Sequence, residues 1–352
     1  MTERLARRLT GTPVRALTLA LVAVAFQVVM VSANVWPAAR IEPRDVPVVV
    51  AGPEPATSTF AQRLEGRSPG AFEVERLPNE QAARQALADR LAYGAYVVGP
   101  AGHHLLIATG ASPAVAQTLA DAGRQLSGRP VALPLDVAPS ARHDPRGTGD
   151  AALVLALVLS GIGGAALLSF GVRSALWRTA GLLVFAAGSG LTSALIADSA
   201  LSVLPGSFPA VAGAIALSTF AVSVSVAGLT AAIPRAGLGL GAAVMMLLAN
   251  PWSGAASAAE MLPRPWGTVG QGLPAGAAAT LLRSVTFFDG AGAGAPLAVL
   301  LIWISYGLVL LAAEQRLRRA SSATVPKPAP RHAKPAHRLP ATLFGTRYGP
   351  SR

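Results

Sequence analysis

The hydrophobic and polar positions of this 352-residue chain divide it into long apolar stretches, a mixed segment and a basic tail. Six stretches contain no Asp, Glu, Lys, Arg or His, and each has about the 20 residues that a helix needs to cross the hydrocarbon of a bilayer. The pattern therefore predicts a polytopic α-helical membrane protein with six transmembrane helices. The stretches are residues 16–36, 151–172, 179–197, 209–233, 236–256 and 293–313.

The segment between the first two stretches, residues 37–150, has a different pattern. Short apolar runs that are typical of strands alternate with helical segments, and Asn79 and Ser112 are placed to cap two of these helices. The predicted order, β-α-β-α-β-β-α-β, implies a compact α/β domain with a mixed sheet. Its 11 basic and 12 acidic residues balance, as expected of a solvated surface.

Residues 251–290, between the last two stretches, are too apolar for a solvated loop. Several Pro and Gly residues interrupt them, so they cannot form one spanning helix. We expect this segment to dip into one membrane face as a broken hairpin with two short helices, residues 254–262 and 274–285. Non-helical backbone is tolerated at that depth only where protein or a water-filled cavity covers it.

The net charge of +12 is distributed in a way that predicts topology. In the six-span arrangement 16 Lys and Arg residues fall on one side, whereas the loop 198–208 on the other side has none. By the positive-inside rule both termini are cytoplasmic and the α/β domain is extracytoplasmic. The charge then needs no nucleic-acid partner. We expect residues 316–352 to be a disordered basic tail that contacts anionic lipid.

Residues 1–15 are basic and amphipathic, and we expect them to lie at the cytoplasmic surface. Cleavage of the first apolar stretch as a signal peptide is an alternative, because small residues occur near 31–33. The apolar core is longer than the roughly 7–15 residues of a signal peptide, which favours retention as the first transmembrane helix.

The motifs of common enzymes are missing from the sequence. There is no cysteine and no phosphate-binding Gly-x-x-x-x-Gly-Lys-Ser/Thr loop, and the only lysines are Lys327 and Lys334. His103 and His104 are neighbours on a predicted strand, so they face opposite sides and fit a hairpin tip better than a metal site. We therefore expect no enzyme activity, no catalytic residues, no metal and no cofactor.

The apolar stretches hold no ionisable residue, whereas carriers driven by ion gradients usually keep such groups in the membrane. If the protein moves a substrate, the energy must enter through a partner. The last five stretches are also rich in small residues, and in several of them these residues lie four positions apart, which predicts close helix packing. A substrate path lined by the hydroxyl groups of residues 218–225 is an alternative use of this region.

The overall layout resembles that of type-2 ABC exporter permeases and, among these, the YhgE/Pip-like membrane proteins of Gram-positive bacteria. Many members of that group have a far larger outer domain. Three parts of the chain carry the resemblance: the strand at 46–50; the stretch 92–98, which follows a helix with Ala83, Ala86 and Arg90; and Glu260-Met261-Leu262-Pro263 with residues 271–274, 282–283 and 287–288.

The resemblance implies a subunit of the bacterial plasma membrane that works as a homo- or heterodimer with a separate cytoplasmic ATP-binding subunit. It would move a hydrophobic or amphipathic substrate outward. We expect Glu260, Arg264 and Arg283 to shape an outer gate. Five basic residues are candidate contacts for the ATPase: Arg4, Arg7, Arg8, Arg173 and Arg178. A simpler role for these residues is to anchor the topology of the chain in the membrane.

A rival hypothesis is a membrane protein that does not transport and whose outer domain binds a ligand, an envelope component or a phage. The broken hairpin favours the exporter, because a simple anchor would not need one.

Overall fold

The computed structural model describes residues 2–99, 102–127, 134–197 and 206–324. Of these described residues, 68% are helical. The helices are α1 Thr2–Ala38, α2 Ala56–Arg67, α3 Glu80–Ala88, α4 Pro113–Ser127, α5 Thr148–Gly171, α6 Ala175–Leu195, α7 Phe208–Ala232, α8 Gly237–Ala243, α9 Trp266–Gln271, α10 Pro274–Phe287 and α11 Gly294–Thr324. The strands are β1 Val46–Ala51, β2 Phe72–Leu77, β3 Gly94–Gly99, β4 Gly102–Ile107 and β5 Leu135–Asp136.

Within the described residues, four helices are long and apolar enough to cross a membrane, as expected of a multi-pass helical membrane protein. The helix α6 is not among them, and the fifth predicted stretch forms only the shorter apolar helix Gly237–Ala249. The second half of that helix is π-helical, and Pro251 follows two residues after its end. Proline cannot continue a helix, which explains why the predicted stretch 236–256 is shortened. The spanning helices are Pro13–Ala38, Thr148–Gly171, Phe208–Ala232 and Gly294–Ala320.

The segment between α1 and α5 forms an α/β unit, and its strands and helices follow the predicted order. Five strands pair in the order β2-β1-β3-β4-β5, with β3 and β4 antiparallel and the other pairs parallel. Both predicted caps are present. The Asn79 side chain accepts a hydrogen bond from the Ala82 N–H at 2.9 Å, and Ser112 Oγ accepts one from the Val115 N–H at 3.3 Å.

The sheet has a hydrophobic cluster on each face. One cluster joins Val48 and Tyr96 to α2 and α4, and the other joins Val49 to α3. The segment after α8 contributes to both clusters, with Met261 in the first and Phe288 in the second. The α/β unit is therefore packed directly onto the broken segment rather than linked to it only by the chain.

The helix α7 lies at the centre of the helical part, and 72% of its apolar window is buried. Its contact with α6 depends on Gly190, where a Cβ atom would lie 2.4 Å from the backbone oxygen of Ala212. A similar close approach joins Gly228 to Gly307 of α11. The Gly190 contact confirms the packing role predicted for that residue, and the Gly228–Gly307 contact was not predicted. The Ser218 hydroxyl donates to the carbonyl of Ala214 within the same helix, at 2.7 Å.

The broken segment differs from the prediction in its first half. The predicted helix 274–285 is present as α10, but 254–262 contains only a 3-10 turn, Ala259–Met261. Gly254 has a left-handed φ of +68° and Ala258 is extended with ψ 162°, so the backbone leaves the helical region at both positions. The first helix of the hairpin is α9 instead, and it begins after Pro265.

The two ends of the chain are more helical than predicted. The predicted separate N-terminal segment 1–15 belongs from Thr2 onwards to the continuous helix α1. The helix α11 continues to Thr324, so the predicted disorder of 316–352 is wrong for its first residues. Residues 316–324 contain good helix formers and no proline, and the first proline of the tail is Pro326. The rest of the predicted tail, 325–352, and most of the loop 198–208 lie outside the described residues.

Candidate functional site

A polar cavity of about 220 Å³ lies where the α/β unit meets the broken segment. Four charged or phenolic side chains line it together with the amide of Gln271 and the hydroxyl of Thr280. Two of the four come from the turn between α3 and β3, and the other two come from the 3-10 turn and from α10. These four side chains are Arg90, Tyr93, Glu260 and Arg283.

A hydrogen bond between Tyr93 and Glu260 joins the two parts of the molecule. The phenol oxygen of Tyr93 donates to Glu260 Oε2 at 2.8 Å. Burial raises the pKa of the Tyr93 phenol above its ordinary value, and the adjacent Glu260 carboxylate acts in the same direction. The phenol therefore stays protonated and remains a donor at neutral pH. A hydrogen bond to a carboxylate is stronger than one between two neutral groups.

Arg90 extends from the end of α3 to α10. It has a left-handed φ of 59°, and its Nη1 donates to the Thr280 carbonyl at 3.1 Å and to Ser284 Oγ at 2.6 Å. Its guanidinium also lies 5.3 Å from the ring centroid of Phe288. Burial lowers the pKa of Arg90, but the ordinary value is so high that the group remains a cation.

Arg283 fixes the turn that precedes the 3-10 turn. Its side chain is 7% exposed, and it donates to the carbonyl oxygens of Gly254 at 3.2 Å and Ala255 at 2.5 Å. The left-handed Gly254 allows the chain to turn here. A neighbouring link supports α9: Thr280 Oγ1 donates to Gln271 Oε1 at 2.6 Å, and Gln271 Nε2 donates to the carbonyl of Ser253 at 2.9 Å.

The structure brings two of the three predicted gate residues together. Glu260 and Arg283 line the same cavity, whereas Arg264 does not. The Arg264 side chain is 66% exposed and forms an ion pair with Asp45, in the loop before β1. Pro263 and Pro265 flank Arg264, and the irregular backbone there carries its side chain away from the cavity.

The predicted ATPase contacts lie in different environments. Arg173 is exposed, but Arg178 is only 4% exposed and pairs with Glu314 of α11 at 2.9 Å. Arg178 also donates to the carbonyl of Val172 at 3.1 Å. It therefore joins α6 to α11 inside the protein and offers no surface to a partner in this conformation. Arg4, Arg7 and Arg8 lie in the first turns of α1, and their side chains are outside the described residues.

The two histidines of β4 face opposite sides of the sheet, as predicted. The His103 ring lies 5.1 Å from the ring of Phe60, which belongs to α2. His104 Nε2 lies 3.1 Å from Glu80 Oε2, which belongs to α3. The two rings are therefore separated by the sheet and cannot share a ligand.

Arg90 and Tyr93 were not among the predicted gate residues. Both fall in or beside stretches that carry the family resemblance, but nothing in their local pattern indicates a partner far along the chain. The bond from Arg90 to Ser284 spans 194 residues, and the bond from Tyr93 to Glu260 spans 167. Comparisons with known proteins add no assignment, because no family model, curated protein or solved structure matches the chain.

Proposed function

We propose that this chain is the membrane-spanning subunit of an ABC-type exporter, with the polar cavity as its outer gate. The observation that carries the proposal is the group of Arg90, Tyr93, Glu260 and Arg283, which ties the α/β unit to a broken segment at one end of the helical part. A movement of the helices that reached α10 would have to break or rotate these contacts, so the cluster is well placed to act as a gate.

In the proposed topology the chain crosses the bacterial plasma membrane six times. The helix α6 provides the third crossing, and the shorter helix Gly237–Ala249 together with the residues that follow it provides the fifth. The helices α9 and α10 form a re-entrant hairpin. Both termini are cytoplasmic, and the α/β unit lies outside. This arrangement follows the distribution of basic residues, because Arg173 and Arg235 then occupy cytoplasmic turns.

The proposal of a hydrophobic or amphipathic substrate rests on an apolar cleft in the helical part. It has a volume of about 500 Å³ and lies between α7, α8 and α11. Val226, Leu229, Met245 and Trp303 are among its lining residues, and Ser225 is one of its few polar groups. A substrate with an alkyl or ring system would fit such a surface, whereas a charged solute would lose its hydration there without finding partners.

The energy for transport would come from a separate cytoplasmic ATP-binding subunit, because the sequence contains no phosphate-binding loop. The subunit would work as a homodimer or heterodimer, as the resemblance to type-2 exporter permeases implies. The exposed Arg173, in the turn between α5 and α6, is the best described candidate for contact with the ATPase.

The proposal is tested by purifying the full chain from its native membranes and identifying proteins that co-purify. We expect an ATP-binding subunit to be recovered, and we expect Arg173→Glu to reduce its yield. Arg142→Glu is the matched control, because Arg142 is also exposed but belongs to the α/β unit. Recovery of no ATP-binding protein would count against the exporter and favour a ligand-binding membrane protein.

A further inference from the structure

An apolar cleft separates the C-terminal half of α1 from the broken segment, and its volume is about 740 Å³. None of the apolar window of Pro13–Ala38 is buried inside the protein. The valines on this side of α1 are therefore available to acyl chains if α1 spans the membrane. The lining includes Val28, Val31, Val35, Trp36, Trp252 and Trp266.

Three tryptophans line this one cleft, out of five in the whole sequence. The rings of Trp252 and Trp266 lie 4.2 Å apart between centroids, and Trp36 stands across from them near the end of α1. Tryptophan is enriched at the depth of the lipid head groups, where its ring contacts both acyl chain and water. The end of the cleft near Trp36 should therefore lie at head-group depth.

A positively charged side chain, that of Arg40, lies at that end of the cleft. The guanidinium of Arg40 lies 4.9 Å from the centroid of the Trp36 ring, and among the described residues no carboxylate pairs with it. Two other arginines of this region each form an ion pair with a carboxylate: Arg44 pairs with Glu42, and Arg264 pairs with Asp45. Arg40 therefore supplies an uncompensated positive charge beside an apolar, aromatic surface.

We propose that this cleft binds an anionic glycerophospholipid, with its phosphate on Arg40 and an acyl chain along the valines of α1. The planar guanidinium offers paired N–H donors that match phosphate oxygens. The valines and tryptophan rings provide the apolar surface for the chain. The proposal requires that α1 spans the membrane with Trp36 at its outer end, but it does not require that the protein transports anything.

Quenching of tryptophan fluorescence by brominated lipid tests the proposal. The full chain is reconstituted in phosphatidylcholine vesicles that contain the same minor fraction of either brominated phosphatidylglycerol or brominated phosphatidylcholine. We expect brominated phosphatidylglycerol to be enriched about fivefold over brominated phosphatidylcholine near the tryptophans. One basic residue near a membrane surface contributes about 1 kcal/mol to the binding of anionic lipid, and this free energy corresponds to about a fivefold preference.

Two variants identify the residue responsible. Arg40→Gln should abolish the preference, and Arg63→Gln should keep it, because Arg63 is an exposed arginine of α2 in the α/β unit. Equal quenching of the unmodified chain by the two brominated lipids would overturn the proposal, since the cleft would then hold no selected lipid. A preference that survives Arg40→Gln would overturn it as well.

Discussion

Replacing Arg283 by methionine should release the turn at Gly254 and Ala255. The guanidinium holds two buried carbonyl oxygens at 3.2 and 2.5 Å, and methionine fills a similar volume without a donor. A hydrogen bond to a charged group contributes about 1.5–3 kcal/mol, and two bonds from one side chain do not add fully. We therefore expect a loss of about 3 kcal/mol, which raises the population of the opened turn about 100-fold.

The absence of native cysteine allows the opening to be measured directly. Ala258 is 1% exposed and packs against the sheet, so a cysteine in its place should react slowly with maleimide until the turn opens. In the Arg283→Met background the labelling rate at position 258 should rise by up to about 100-fold, because labelling then follows the opened population.

The matched control is Arg264→Gln on the same segment. Arg264 is 66% exposed, and its pair with Asp45 should contribute no more than about 1 kcal/mol. Labelling at position 258 should therefore change little in this variant. Equal labelling rates in the Arg283→Met and unmodified backgrounds would refute the role assigned to Arg283, provided that both proteins are folded by circular dichroism.

Three further predictions concern stability. Arg178→Met should lower the thermal midpoint, because loss of one partner of a buried ion pair costs about 3–5 kcal/mol, and Glu314→Leu in the same protein should restore part of it. Gly190→Ala should destabilise the α6–α7 contact by about 1–3 kcal/mol, whereas Gly188→Ala, which meets open space, should not, as measured by denaturant unfolding. The folded state favours protonated Tyr93, so the stability that this residue contributes should be complete below the ordinary tyrosine pKa near 10 and should fall as the pH rises above it. Tyr93→Phe should therefore reduce the fall in the free energy of unfolding above pH 10. An unchanged dependence on pH would contradict the buried placement of the phenol.

The α/β unit could be predicted because its information is local. Period-two apolar runs identify strands, and Asn79 and Ser112 mark the starts of helices, so the order of elements follows from short windows. The helical part is harder, because a long apolar run does not show where its helix ends. Pro251 shortens the fifth predicted span, and Gly254 with an extended Ala258 prevents the predicted helix 254–262.

The candidate site could be predicted only in part. Glu260 and Arg283 were named in advance among three charged residues of the broken segment, and both line the cavity, whereas the third, Arg264, does not. Their partners Arg90 and Tyr93 lie in another part of the sequence, where an arginine after a helix or a tyrosine before a strand is ordinary. Only the packing of the α/β unit onto the segment brings them together, and Arg264 differs from its neighbours because it pairs with the loop before β1.

ATP-dependent accessibility of the polar cavity is the most direct test of the exporter. Ala259 lines the cavity, and a cysteine at this position can be labelled with an impermeant maleimide in native membranes. If the cavity is an ATP-driven gate, ATP with vanadate changes the labelling rate at position 259, whereas a cysteine that replaces the exposed Gln81 reacts equally with and without nucleotide. A labelling rate at position 259 that is the same in both conditions would contradict an ATP-driven gate.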